Sequence, residues 1–388
     1  MLKLIALLFL IPSVAWSYPN FIGYDYTSCL TCHYNPMGNG PLTDYGRAVG
    51  ATVISDRILR DASTTDDDIG KSSGFLFMEP MNDWFRPSFD YRGLTLKTNY
   101  DELNEENEYI HMMADAAITL RLGPKDNKDK FIMSFTMGYA PTPRALKDNA
   151  TAKKESNYRT REHYLGWRTN QKWGLYVGLM DKAFGIRVPD HNVFSRSTTG
   201  LSMNDQTHGL LVHYTIPEFE YAIHAFVGNL AQEGNIRQTG GSGTFEWTAT
   251  AKTRIGASVL SSQSDFVKQS LYAAHMRSAF GKGSSVMIEV GQQDKKVVLR
   301  DKSTTSRYIF TQNHVRLKRG LNMINTLEYL KADTEKKEDK VLRLGPGLQY
   351  FLNQGMELRL DIYNTKVFSE TSVSDDSWDV TGQYHIWF

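Results

Sequence analysis

From about Phe85 to the C-terminus, apolar and polar residues alternate with a period of two, in segments separated by turn-forming residues. The clearest segments are 110–122, 131–139, 219–228 and 356–363. Segments of about ten residues with one apolar and one polar face are typical of strands in a transmembrane β-barrel. Counting them gives about sixteen strands. We therefore predict an all-β fold, an antiparallel transmembrane barrel of about 16 strands, with the barrel domain at residues 76–388.

The connections between these segments support a barrel. Short connections are predicted at 169–172, 216–218, 252–254, 281–284, 319–320 and 353–355. Longer polar loops are predicted at 141–157, 184–207, 229–243, 292–305, 331–340 and 365–377. The two kinds alternate strictly, as expected for tight periplasmic turns and long outer loops. A soluble β-sandwich, the alternative fold, has no reason to sort its loops by length.

The N-terminal segment predicts export. Lys3 precedes a short apolar run, and Ala15 and Ser17 are small residues at the positions that determine cleavage, so residues 1–17 are predicted to be a signal peptide. The apolar run is shorter than the roughly 20 residues that a membrane-spanning helix needs. We expect the mature N-terminus to lie in the periplasm.

The C-terminus predicts the outer membrane. Val380, Tyr384, Ile386 and the final residue, Phe388, fall on one face of the last segment. This ending resembles the last strand of bacterial outer-membrane proteins. The expected location is the outer membrane of a Gram-negative-type bacterium, in contact with its lipid.

Composition limits the function. Lys and Arg number 44 against 43 Asp and Glu, a balance that argues against nucleic acid as a partner. The sequence contains no glycine-rich phosphate loop, no H-E-x-x-H motif and no serine-nucleophile elbow, so an enzyme is not expected, apart from minor peroxidase-like activity.

Residues 18–75 form a separate predicted module. Pro41 is a favourable first helical residue, and apolar residues at helical spacing predict one amphipathic helix that runs to about Leu59. The polar stretch 61–74 is predicted to be a linker. A module of this size is small for a free-standing cytochrome, so we expect it to be a plug that needs the barrel to bury a haem.

The chemistry of this module lies in the pentapeptide Cys29-Leu30-Thr31-Cys32-His33, which holds both cysteines of the chain. C-x-x-C-H is the motif of c-type haem attachment. Its two thiols bind the porphyrin covalently, and its histidine is the proximal ligand of the iron. A redox pair, half of a zinc site and a disulfide are the alternatives. The motif and the export signal together predict one covalent haem c on Cys29 and Cys32, with His33 on the iron.

With this pentapeptide and the Phe388 ending, the chain is similar to the outer-membrane porin–cytochrome electron conduits. The resemblance implies a haem peptide fused to a barrel, and periplasmic cytochromes or other electron carriers as partners. Those conduits thread a separate multihaem cytochrome through the barrel, whereas this chain has one attachment site. Because the hydrocarbon layer is about 30 Å thick, one porphyrin does not cross it as a wire.

A second iron ligand is expected from the barrel, because Met37 follows His33 too closely to reach the opposite face of the haem. In sixteen-stranded porins the third outer loop folds into the lumen, and His191 lies in the third outer loop of this chain, which makes it the candidate distal ligand. Arg187 and Arg196, in the same loop, are candidates for contacts with the haem propionates. The other histidines are expected to be solvated lumen or loop residues.

The alternation also predicts which charged residues and histidines face the lumen. They are His111, Asp115, Arg121, Glu220, His224, His275, Arg277, Glu357, Arg359, Asp361 and Asp379. Their charges are of both signs, so they predict no ion selectivity.

Two functions follow. The first is electron transfer at or across the outer membrane by one covalent haem. The second is a transport porin whose haem-bearing plug has a structural, redox-sensing or gas-sensing role. A six-coordinate iron favours the first, and an open sixth position favours the second.

Overall fold

The structure is a computed structural model that describes residues 21–26, 28–38, 40–80, 82–99, 106–139, 158–190, 192–369 and 375–388. The predicted signal peptide, the 141–157 loop and His191 lie outside the described residues.

Sixteen strands close into a barrel in the described part of the chain, which confirms the predicted fold class and strand number. Each strand is antiparallel to its neighbour in sequence, and β1 closes the barrel by pairing with β16. The strands are β1 (Phe85–Asn99), β2 (Glu106–Leu122), β3 (Phe131–Tyr139), β4 (Tyr158–Arg168), β5 (Trp173–Met180), β6 (Thr207–Thr215), β7 (Phe219–Phe226), β8 (Thr239–Thr250), β9 (Thr253–Gln263), β10 (Val267–Ala279), β11 (Ser285–Val297), β12 (Lys302–Lys318), β13 (Leu321–Lys331), β14 (Lys340–Asn353), β15 (Met356–Phe368) and β16 (Asp375–Trp387).

The two faces of the wall differ as the alternation predicts. In β3, Phe131, Met133, Phe135 and Met137 are exposed on the outside, while the residues between them are buried. β9 shows the same alternation along its length. An apolar exterior around a closed barrel suits contact with hydrocarbon, because closure leaves no backbone edge unpaired. Among the described residues, no helix is both long and apolar enough to cross a bilayer.

The predicted alternation of loop lengths holds only in part. The connection between β9 and β10 covers only residues 264–266, and that between β11 and β12 only 298–301, although the sequence predicted a long loop at 292–305. Residues 239–243 of another predicted loop belong to β8. On the opposite end of the barrel, the connection between β2 and β3 is eight residues long, 123–130. The long loops predicted at 292–305 and 229–243 were wrong in part, because strand ends that extend beyond a membrane are polar and have the composition of loops.

One predicted lumen residue faces outward. The register between β1 and β2 shifts between Arg92 and Gly93, which leaves Met112 as the extra residue of a β-bulge. A bulge reverses the side-chain alternation beyond it. His111 is therefore exposed on the outside, where its Nδ1 lies 2.6 Å from the hydroxyl of Tyr91. The prediction that His111 faces the lumen was wrong for this reason.

The segment before the barrel contains short helices and turns. Helix α1 (Asp44–Val49) begins at the capping residue Thr43 and continues into a π-helical turn, Gly50–Ile54. The predicted helix therefore ends before Leu59. Short 3-10 turns lie at Ile22–Tyr24, Cys29–Thr31 and Phe75–Phe77.

The stretch predicted as a linker contains a second helix, α2 (Asp66–Lys71). The side chains and backbone of Thr65 and Asp68 form a capping box at its N-terminus, and Ile69 is buried beneath it. The sequence predicted no helix in this stretch, because the capping signal lies hidden in a polar run.

Candidate functional site

The N-terminal module lies inside the barrel at the end that carries the short connections. The Gly283 amide, in the turn between β10 and β11, donates to the carbonyl of Gly23 at 2.6 Å. The guanidinium of Arg319, in the next such turn, donates to the carbonyl of Ser55 at 2.7 Å. These contacts attach the module to the rim as well as to the lumen.

Charged side chains of the wall hold the module in place. Arg86 donates to both carboxylate oxygens of Asp44, at 2.6 and 2.8 Å, and Arg121 donates to the same carboxylate at 2.9 Å. Burial would raise the pKa of Asp44, but the two arginines hold it below its usual value. Farther in, the amide of Asn35 donates to Glu162 at 2.8 Å. The module is thus ionically matched to this part of the wall.

The connection between β5 and β6 folds into the lumen from the other end, as the sequence predicted for the third outer loop. We call its described residues, 181–190 and 192–206, the inner loop; it includes the short helix α3 (Phe194–Ser197). The amide of Ile186 donates to Glu289, and that of Phe194 donates to Glu328, each at 2.5 Å. Buried carboxylates of the far wall therefore satisfy backbone amides of the inner loop.

A cavity of about 360 Å³ separates the module from the inner loop. Its lining includes Cys29, Cys32 and His33 from the module and Arg187 and Arg196 from the inner loop. These five residues are the predicted site residues that the structure describes, and they all line this one cavity. Its volume is in the range usual for ligand sites. His191 lies outside the described residues.

The pentapeptide forms a compact turn. The amides of Cys32 and His33 both donate to the carbonyl of Cys29, at 3.1 and 2.9 Å. The two thiols are free, with no disulfide between them. Gly38 lies directly against Cys29, where a β-carbon would lie 2.9 Å from Sγ in a backbone conformation with φ of +79°. Only glycine leaves room for this thiol and adopts this conformation without strain.

The ring of His33 lies beside a backbone acceptor. Its Nδ1 lies 3.3 Å from the carbonyl oxygen of Gly40. A ligating histidine usually donates from one ring nitrogen to such an acceptor, which fixes the tautomer and leaves the other nitrogen for the metal. The donor set and its backbone support fit a c-type haem.

The alternatives for the thiols fit less well. Burial raises the pKa of Cys29 to about 11 and that of Cys32 to about 12, so both thiols are protonated at neutral pH. A reactive redox pair needs a lowered thiol pKa. The described residues contain no group of three or more Cys, His, Asp or Glu that could hold a metal ion.

The arginines of the inner loop provide positive charge at the cavity. Arg196 is 6 % exposed, and its guanidinium makes no hydrogen bond or ion pair with any described residue. Burial lowers its pKa to about 10. Burial also lowers the pKa of Arg187 to about 9, and Arg187 is paired with Asp181. An anion in the cavity would stabilise Arg196 in particular, since a buried cation without a partner is costly.

The sequence did not predict the ionic contacts among the side chains of the cavity wall. Ser28 donates to Glu220 at 3.2 Å, and Arg254 donates to the same carboxylate at 2.8 Å. Glu246 pairs with Arg277 in the neighbouring part of the wall. Alternation predicted that Glu220 and Arg277 face the lumen, but it carries no strand register and therefore could not predict their partners.

Comparisons with known proteins agree with the fold. No protein-family model matches the chain, and no curated protein matches its sequence. Among solved structures, the chain resembles the outer-membrane OmpT of Vibrio cholerae, with a TM-score of 0.59 and 10 % identity over 78 % of this chain and 97 % of that one. An anion-selective porin from Comamonas acidovorans gives a TM-score of 0.58 and 8 % identity over 78 % and 99 % of the two chains. The outer-membrane channel DcaP of Acinetobacter baumannii gives a TM-score of 0.56 and 11 % identity over 78 % of this chain and 97 % of that one. At these identities the likeness is one of fold, and that fold is the closed sixteen-stranded barrel of porins.

Proposed function

We propose that this protein is an outer-membrane barrel that carries one covalent c-type haem in its lumen and acts in electron transfer. The observation that carries the proposal is the shared cavity. Cys29, Cys32 and His33 enter it from one side, and the unpaired Arg196 enters it from the other. Redox pairs, zinc sites and disulfides have no need of such a space, whereas a porphyrin does.

Different residues of the cavity have different roles in binding the proposed haem. Cys29 and Cys32 anchor it, His33 ligates the iron from the module, and Arg196 binds its carboxylates with help from Arg187. When bound, the haem supplies a one-electron iron couple. The inner loop and the module both line the cavity, and shielding of the group by them would limit the reorganisation that accompanies a change of charge.

The direction of electron flow depends on orientation. The short connections of such barrels face the periplasm, which would place the module there and bring it within reach of periplasmic cytochromes or other carriers. In this arrangement the chain resembles the porin–cytochrome conduits. Its single haem would carry electrons over one part of the distance across the outer membrane. The outer-membrane location and the orientation are part of this proposal.

The second candidate is a transport porin in which the module is a haem-bearing plug with a structural or sensing role. The solved structures that resemble the chain favour it, since they are porins and channels. The filling of the lumen by the module and the inner loop favours electron transfer instead. His191 as the distal ligand stays a prediction, and an unligated sixth position would favour sensing.

Haem staining tests the proposal directly. The full-length protein, matured in a host with a cytochrome c assembly system, is expected to stain for haem on a denaturing gel. Cys29→Ser with Cys32→Ser should fold into the same barrel and lose the stain. A mature wild-type protein of unmodified mass under these conditions would leave the thiols without haem and contradict the proposal.

A further inference from the structure

We infer that His163 and His208 form a pH-sensitive clasp on the outside of the barrel. The clasp fastens the connection between β7 and β8, residues 227–238, when both imidazoles are neutral, and it releases this β7–β8 loop when they become protonated. The inference goes beyond the proposed function and does not depend on a haem.

The two histidines lie on the outer surface of the wall, on either side of β5. His163 of β4 and His208 of β6 are both paired with Leu179 of β5. Residues directly opposite each other on neighbouring strands share a face of the sheet, so the three side chains lie on one surface. That surface is the outside, because the next residues on the same face of β4 and β6 are the exposed Leu165 and Leu210.

The hydrogen bonds of the pair determine where its protons lie. The backbone amide of Leu230 donates to Nδ1 of His208 at 3.1 Å, so this nitrogen carries no proton. The proton of the neutral ring is then on Nε2, which lies 3.0 Å from Nε2 of His163. His208 therefore donates to His163, and His163 carries its own proton on Nδ1.

This chain of two hydrogen bonds exists only while both rings are neutral. A proton added to Nδ1 of His208 would point at the amide hydrogen of Leu230. A proton added to Nε2 of His163 would point at the hydrogen that His208 donates. Either protonation sets a donor against a donor and breaks one of the two hydrogen bonds.

The surroundings do not stabilise a charged ring. Among the described residues, neither imidazole has a carboxylate partner, and Nδ1 of His163 is buried without a hydrogen bond. The other charged group close enough to act on the pair is Arg237, which is itself a cation and donates to the carbonyl of Leu230 at 3.0 Å. The cross-strand neighbours on β3, on β5 and at the start of the β7–β8 loop are apolar: Phe135, Leu179 and Val227.

The direction of the pH effect follows from proton linkage. The open loop binds protons that the closed clasp excludes, so closure is favoured as the pH rises and is lost as the pH falls. Because a free histidine titrates near about pH 6.5, the change is expected between about pH 7.5 and about pH 5.5. Over this range, two titrating rings raise the ratio of open to closed loop by about a hundredfold, and one ring raises it by about tenfold.

Hydrogen exchange of the full-length protein in detergent micelles, measured by mass spectrometry, follows opening of the loop. The β7–β8 loop is compared with the connection 264–266, which contains no histidine, and exposure times are scaled for the chemical effect of pH on exchange. The test variants are His208→Phe and His163→Gln. His111→Phe, at another histidine of the outer surface, is the matched control. Migration of unboiled and boiled samples on gels checks that each barrel has formed.

In wild type and in His111→Phe, scaled exchange of the loop should rise by about a hundredfold from about pH 7.5 to about pH 5.5, while 264–266 stays constant. His163→Gln keeps an acceptor for His208 but does not take up a proton, so its rise should be about tenfold. His208→Phe removes the acceptor of the Leu230 amide, and its loop should exchange fast at every pH.

A flat wild-type profile overturns the inference. So does an equal rise in wild type and His163→Gln, because His163 would then take no part in the clasp. A rise that persists in His208→Phe, or one that is lost in His111→Phe, would assign the pH dependence to other groups and overturn it as well.

Discussion

Two segments fill the lumen, the N-terminal module from one end and the inner loop from the other, and they are held differently. The inner loop contributes apolar side chains to the interior: Phe184 and Leu201 pack with wall residues such as Phe226, and Ile186 packs with Phe310. The module makes polar contacts to the wall and rim, and two of its side chains also join apolar clusters: Tyr34 packs with wall residues such as Tyr176, and Ile22 packs with Ile186. The inner loop is therefore part of the barrel core, whereas the module is an insert that contributes no strand and combines ion pairs with a few apolar contacts.

The difference suggests a division of roles. A core element stabilises the barrel, and an insert can carry chemistry without being needed for folding. Ile22 of the module joins the apolar cluster of Ile186 and Val188, so the two segments meet beside the cavity. The site thus depends on both.

Removing the module should have the largest effect. Deletion of residues 21–80 is expected to leave a closed barrel, because the deleted segment contributes no strand. Conductance across planar bilayers should rise several-fold, since the inner loop alone then narrows the lumen. The full-length protein and its Asp67→Ala variant are the controls. A deletion that fails to fold would show that the module is part of the core after all.

The second largest effect is expected from loss of the buried carboxylate of Asp190 in the inner loop, which should lower the stability of the fold. Asp190 pairs with Arg359 at 2.6 Å and accepts from Gln312 at 3.0 Å. Asp190→Ala leaves the guanidinium with fewer partners and should lower the free energy of unfolding by about 3 kcal/mol. Urea unfolding in micelles measures the change. Asp190→Asn, which keeps the hydrogen bond with Gln312, should lose less.

The same pair gives a pH dependence. Burial would raise the pKa of Asp190, but Arg359 outweighs it and lowers the pKa to about 2. A carboxyl with a lowered pKa in the folded state contributes stability above its unfolded pKa, and this contribution is lost as the pH falls toward the folded value. Between about pH 5 and pH 2, wild type should therefore approach the Asp190→Ala variant in stability. A constant difference over this range would contradict the assignment.

The smallest expected effect is at the polar contact of the module. Asp44→Ala removes the partner of both Arg86 and Arg121 and should weaken docking by about 1 kcal/mol, since Asp44 is partly exposed. Proteolysis of the module in the folded protein should become faster. Asp67→Ala, which breaks an exposed pair with Lys71, is the matched control and should change little. Equal protection of both variants would show that Asp44 does not hold the module.

The sequence allowed the wall to be predicted, because each strand carries its own alternation. The faces of β3 and β9 and the number of strands follow from period-two patterns alone. Two kinds of prediction failed. One extra residue can reverse the alternation of side chains along a strand, and a polar segment can be either a loop or the end of a strand. The bulge at Met112 turned His111 outward, and polar strand ends were interpreted as loops.

The site was predictable only in its local part. Cys29, Cys32 and His33 form a contiguous motif, and the loop count brought Arg187 and Arg196 to the same cavity. The contacts between distant segments, such as those of Asp44 and Glu289, depend on register and docking, which no local pattern encodes.

Enclosure of the pentapeptide has a consequence for biogenesis. Cys32 is 6 % exposed, and the wall that surrounds it is complete once β1 pairs with β16. An enzyme that joins haem to these sulfurs is itself a folded protein and does not fit through the closed barrel. If these sulfurs carry the proposed haem, its bonds would have to form before the module docks in the lumen, so a maturation step at one end of the polypeptide would precede completion of the fold at the other.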